Sequence, residues 1–181
     1  MNKKYELLRG IHITVRDVKL YRIRALESFG DVKKGDLGGY IESESNLSHE
    51  GNCWVSGDAR VRDKALVSGD ARVRDKALVS GKARVFDKAH VYDEARVFDN
   101  AWVSGFVEVY GKALVSGGAE VYDDAEVSGY ALVHDNAHVY GTAVVSGDAE
   151  VYGNAHVYGK ALVSGGAWVH GEDHIFEGEL R

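Results

Sequence analysis

Proline is absent from this chain, cysteine occurs once, at Cys53, and threonine only at Thr14 and Thr142. One cysteine excludes an intramolecular disulfide and a cysteine-based zinc cage within a single chain. So little threonine excludes the regular Thr-x-Thr arrays of an ice-binding surface. No apolar run approaches the roughly 20 residues needed to span a bilayer. The opening MNKKYELLRG has no hydrophobic segment of the secretory kind, so the expectation is a cytoplasmic protein with no membrane partner. Against these absences stand 22 glycines in 181 residues. Ordinary loops draw on glycine and proline together, so many of one and none of the other point to a regular, repeated backbone. A hydrophobic share of 45% argues against a disordered chain.

The repeat is plain. Valine stands at every sixth position from Val55 to Val169, twenty times without a miss or an insertion. Two places after each valine comes Gly in thirteen cases and Asp in seven. Four places after comes Ala in eighteen, the exceptions being Val107 and Asp173. Ile175 opens a partial further unit. Backward, Gly51, Cys53 and Leu47 continue the pattern, with His49 expected in the valine position.

The unit V-x-[GD]-x-A-x has a direct physical reading. In an extended segment alternate side chains face opposite ways, so Ala and the following Val share the inner side while the residues flanking Val point out. Gly or Asp supplies the positive φ of a sharp corner. Each hexad is therefore one short strand and one corner. A helix is excluded, because this spacing gives no apolar stripe at a period of 3.6 and spreads poor helix formers throughout. Spacing alone permits a three-sided lap of 18 residues or a two-sided lap of 12, since VSGDARVRDKAL occurs twice in succession at 55–66 and 67–78.

Gapless hexads with a small Val/Ala interior resemble the hexapeptide-repeat, left-handed parallel β-helix family, over roughly residues 47 to 181. The resemblance implies an all-β fold, three hexads per coil, a left hand, about seven coils and a prism of roughly 33 Å. It also implies homo-oligomers, trimers above all. Residues 1–46 differ in texture: ITVRDVKLYRIRALESF is rich in β-branched and aromatic residues, and FGDVKKGDLGGYIE adds turn signals. A small β-rich cap over the first open edge is expected. The stretch YRIRALESFGDVKKGDLGGYIESESNLSHEGN resembles the opening of phage and prophage hexapeptide-repeat proteins, usually labelled transferases.

Charge divides along the chain. Residues 1–46 hold nine basic and seven acidic side chains, residues 47–100 ten and nine, and residues 101–181 three and twelve. The acidic end disfavours nucleic acid as a partner, since phosphate binding requires a basic surface. The early arginines Arg60, Arg62, Arg72, Arg74 and Arg84 form a candidate anion site, weighed against an ordinary solvated face.

With an 18-residue lap, outward side chains stack in columns about 4.8 Å apart. One column reads Phe86, Ser104, Tyr122, Tyr140, Tyr158, Phe176, and beside it run Arg84, Trp102, Glu120, His138, His156, His174. The candidate binding or interface residues are Phe86, Trp102, Tyr122, His138, Tyr140, His156, Tyr158, His174 and Phe176. Exposed aromatics on one flat side suit a partner surface. Outward Leu78, Leu114, Leu132, Val144 and Leu162 favour burial by a neighbouring subunit. The alternative is that stacked rings only stabilise the solenoid. Stacked histidines point the same way and do not converge on a metal, so no metal or cofactor is expected.

Most hexapeptide-family members are acyltransferases that use a histidine near an extruded loop at an inter-subunit cleft. Here no residue is inserted between 55 and 174, and the histidines open to such a role, His90, His134, His138, His156 and His170, have no partner motif. The sequence reading is therefore a non-catalytic oligomeric binding protein of phage type, acting in counter-defence in the host cytoplasm. It would sequester a small host molecule or block a host protein. The rival readings are a hexapeptide acyltransferase and a structural element with no ligand.

Overall fold

A computed structural model describes residues 3–181. The fold is all-β, a parallel β-solenoid of about eight turns whose one helical feature among the described residues is a 3-10 turn at Glu44–Asn46. No helix among these residues is long and apolar enough to cross a membrane.

Strands β1 (Tyr5–Val15) and β2 (Val18–Ala25) form an antiparallel hairpin closed by Arg16 and Asp17, both at positive φ. That is the two-residue turn whose twist matches a β-ribbon. Strand β3 (Leu37–Ile41) pairs antiparallel with β2 on one edge and parallel with Arg60–Val61 on the other, so the hairpin continues one solenoid wall into a ten-stranded sheet. Two-residue strands then recur from Trp54–Val55 to Glu179–Leu180, arranged in three parallel sheets.

Their register settles the lap. Val103 pairs with Val85 and Val121, and His138 with His156, each eighteen residues apart, which excludes the two-sided coil. All twenty repeat valines are buried, together with the alanines two places before them. Val107, in an alanine position, is fully buried too. The thirteen glycines and seven aspartates two places after the valines all have positive φ, as the corner requires. The core runs as one cluster from Tyr5 to Val169.

The walls hold ten, eight and seven strands, the first counting the hairpin strands β1 and β2, which makes about eight turns and agrees with the expected coil count. One expectation is corrected. Leu47, not His49, takes the valine position, because Leu47 pairs with Val67. The first lap is thus two residues longer than the rest. Buried Asn46 anchors it, its amide donating to the carbonyls of Asp63 (3.1 Å) and Ala65 (2.9 Å). His49 turns out to stack on Tyr5, ring centroids 4.4 Å apart. At the other end Leu162 pairs with Glu179, a lap one residue short, and Leu180 is left exposed.

The open first coil is plugged. Tyr5 is fully buried and its one hydroxyl proton is shared between the Leu47 carbonyl (2.8 Å) and the Glu44 carbonyl (3.1 Å). Buried Lys4 donates to the carbonyls of Cys53 (3.0 Å) and Gly51 (3.1 Å), and its ammonium lies 3.4 Å from the Cys53 sulfur. Burial pushes the Lys4 pKa down and the Cys53 thiol up.

Candidate functional site

Because Ala and Val face inward, the residues on either side of each valine form two outward columns per wall. On the wall that begins at Leu66–Val67, the column after the valines reads Ser68, Phe86, Ser104, Tyr122, Tyr140, Tyr158, Phe176. The column before them reads Leu66, Arg84, Trp102, Glu120, His138, His156, His174. The nine sequence-predicted residues therefore share one wall, hereafter the Tyr/His face.

The rings form continuous stacks. Tyr122 and Tyr140 lie 4.8 Å apart with planes 5° from parallel, Tyr140 and Tyr158 5.0 Å and 8°, and Tyr158 meets Phe176 at 5.3 Å, tilted 50°. Beside them His138, His156 and His174 stack at 4.7 Å, within 1–2° of parallel. The two stacks touch edge to face, Tyr140 against His156 at 6.2 Å and Tyr158 against His174 at 6.3 Å. Parallel β-strands hold identical rings in register once per coil, which is also the spacing at which aromatic faces attract.

Stacking corrects one expectation. Most of these rings are half-buried, each covering its neighbour's face, and of the nine only Trp102, His174 and Phe176 are exposed. What solvent meets is mainly the free edges of the rings. The electrostatics follow from that crowding. Burial first, then the flanking His138 and His174, hold the His156 imidazole below its usual pKa, and its Nδ1 is buried without a hydrogen-bond partner. Burial and the next tyrosine along raise the Tyr122 and Tyr140 phenols. His138 Nδ1 lies 3.7 Å from Glu120.

The other walls carry shorter motifs. Tyr92 and Tyr110 stack at 5.0 Å, and the Tyr92 hydroxyl donates to Glu108 at 3.0 Å while Tyr110 donates to Glu126. His134 stacks on Tyr152 at 5.3 Å and meets Glu150 at 2.8 Å. These carboxylate partners, sixteen residues on from each ring, were missed in the sequence. Their signal was Glu in the column beside the rings, one coil later. The five outward aliphatics expected to be covered by a neighbouring subunit do not join the Tyr/His face: Leu78, Leu114 and Leu132 lie on the β3 wall, Val144 and Leu162 on the third.

The early arginines also separate. Arg60 and Arg62 belong to the β3 wall, Arg72 and Arg74 to the third, and Arg84 to the Tyr/His face. Arg72 pairs with Asp31, Arg74 sits 4.6 Å over the Tyr92 ring and Arg84 5.4 Å over Trp102. They make no single anion patch. Among the described residues no three His, Cys, Asp or Glu side chains gather as metal ligands would.

Among known proteins, no family model matches this chain. Over 42 residues it is 45% identical to the uncharacterized acetyltransferase YdcK of Escherichia coli (strain K12), a match covering 23% of this chain. The chain spans only 13% of that relative's length. The gapless hexads, the parallel coils and this local likeness together fit a hexapeptide-repeat β-helix.

Proposed function

We propose that the chain is an oligomeric binding protein that works through its Tyr/His face. The observation that carries the reading is the unbroken double stack, Tyr122–Tyr140–Tyr158–Phe176 beside His138–His156–His174. A rigid, flat ribbon of aromatic edges with polar tips offers large contact area at little entropic cost, the property that enriches tyrosine at interfaces. A second copy of the chain covers part of this face, a trimer being in keeping with the hexapeptide-repeat resemblance. The remainder holds a host small molecule or protein. The phage-like opening segment supports a counter-defence setting for that capture.

Acyl transfer is the second reading, favoured by the likeness to the E. coli acetyltransferase. In that case an imidazole at a subunit boundary, His138 or His156, serves as general base.

Affinity capture of the purified protein from host extract, with mass spectrometry of what co-elutes, separates the two. A stoichiometric small molecule or protein, lost from a Tyr140→Ala/Tyr158→Ala variant, supports the binding role. Turnover of acetyl-coenzyme A that disappears in His156→Gln, with nothing captured, overturns it in favour of the enzyme.

A further inference from the structure

The aromatic column of the Tyr/His face has a missing rung. Phe86, Ser104, Tyr122 and Tyr140 occupy the same outward position of successive coils, and only Ser104 carries no ring. Adjacent coils are about 4.8 Å apart, so Phe86 and Tyr122 are separated by roughly 10 Å along the column. One planar ring set midway would keep the 4.8 Å spacing that Tyr122 and Tyr140 already show.

An open surface groove of about 350 Å³ lies at this gap, lined by Phe86, Asp87, Trp102, Ser104, Glu120, Tyr122 and Asp123 among others. Tyr122 stacks on Tyr140 with one face, leaving the other toward the gap. Trp102 forms a side wall, set edge to face on Phe86 at 6.1 Å and 44% exposed. Arg84, the nearest cation of the column, already lies over the Trp102 ring at 5.4 Å.

The chemistry of the walls selects the ligand. Aromatic surfaces on several sides favour a flat π-system. The charged groups lining the groove are the carboxylates of Glu120, Asp123 and Asp87, which only accept hydrogen bonds when ionised and repel anions. We propose that the Ser104 slot binds a planar, amino-substituted nitrogen heterocycle, its ring stacked on Tyr122 and its N–H groups donating to the Glu120 and Asp123 carboxylates. The slot lies within one chain and does not depend on the Tyr/His stack being covered by a partner.

Calorimetric titration of the full-length chain with adenine tests this, with adenosine monophosphate as the anionic counterpart. Adenine binds saturably, once per chain, and the monophosphate binds several-fold more weakly. Ser104→Tyr restores the missing rung and lowers adenine affinity by about tenfold or more; Glu120→Gln lowers it several-fold and decides the matter if Ser104→Tyr does not fold. Tyr92→Ala, on the third wall, leaves adenine binding intact, which ties binding to the slot. Absence of saturable binding, undiminished affinity in Ser104→Tyr or in Glu120→Gln, or tighter binding of the monophosphate overturns the assignment.

Discussion

His138 and His156 lie face to face on adjacent coils, ring centroids 4.7 Å apart and planes 1° from parallel, with His174 repeating the contact on the far side of His156. Protonating neighbours at that distance sets like charges against each other. Burial together with His138 and His174 already holds His156 below its usual pKa, and burial followed by Arg74 does the same to His90.

The folded chain therefore binds these protons less readily than the unfolded chain, whose histidines titrate near 6.5. Stability from this source is complete above about pH 6.5 and is lost as pH falls through the lower folded values. Thermal unfolding from pH 7 to pH 5 should show a falling Tm. His156→Gln should flatten that fall by about 2 °C, a modest effect because the rings are partly solvated. Identical pH profiles for the two proteins would count against a coupled imidazole stack.

A second prediction concerns the corners. Gly105 and Asp123 hold the same corner one coil apart, at φ of 78° and 62°, and a Cβ on Gly105 would lie 2.5 Å from the Asp123 carbonyl oxygen. Gly105→Ala meets both strain and overlap and should cost about 2–3 kcal/mol in urea unfolding. Asp123 accepts a hydrogen bond from the Gly141 amide at 3.2 Å. Asp123→Ala should cost about 1 kcal/mol, and Asp123→Gly less, since glycine regains the backbone freedom that offsets the lost bond. Equal cost for alanine and glycine at position 123 would contradict the corner geometry.

A third prediction tests the interior. Val109 is fully buried between Val91 and Val127 in the same wall. Val109→Asp places a carboxylate among methyl groups with no cation in reach and should destabilise the chain by on the order of 5 kcal/mol. Circular dichroism melts will show it, and a native-like transition would mean that the inside and outside of the strand are wrongly assigned.

How much of this was legible in the sequence varied with how locally it was determined. The Val/Ala interior and the Gly/Asp corners could be read directly, because burial and positive φ select residue types one position at a time. The Tyr/His stacks followed once laps of eighteen residues aligned Tyr140 with Tyr158 and His138 with His156. Leu47 was misplaced because the buried Asn46 amide, not the hexad count, sets the register of the first lap. The Lys4 plug was invisible for a similar reason: its partners Gly51 and Cys53 lie far along the chain and offer only backbone carbonyls and a sulfur. The slot at Ser104 was present as one small residue in an aromatic column. Its walls became apparent only when Trp102 and Glu120 from the neighbouring column were placed beside it.

The central claim is that the stacked Tyr/His ribbon is a surface to be covered, and sedimentation equilibrium at pH 8 tests it most directly. The native chain should sediment as a multiple of its 19.7 kDa mass. Tyr140→Ala/Tyr158→Ala should sediment as the single chain while still unfolding cooperatively, its Tm lowered only by the loss of ring stacking. A variant that keeps the native assembly mass, or a native protein that is already monomeric, would contradict the account.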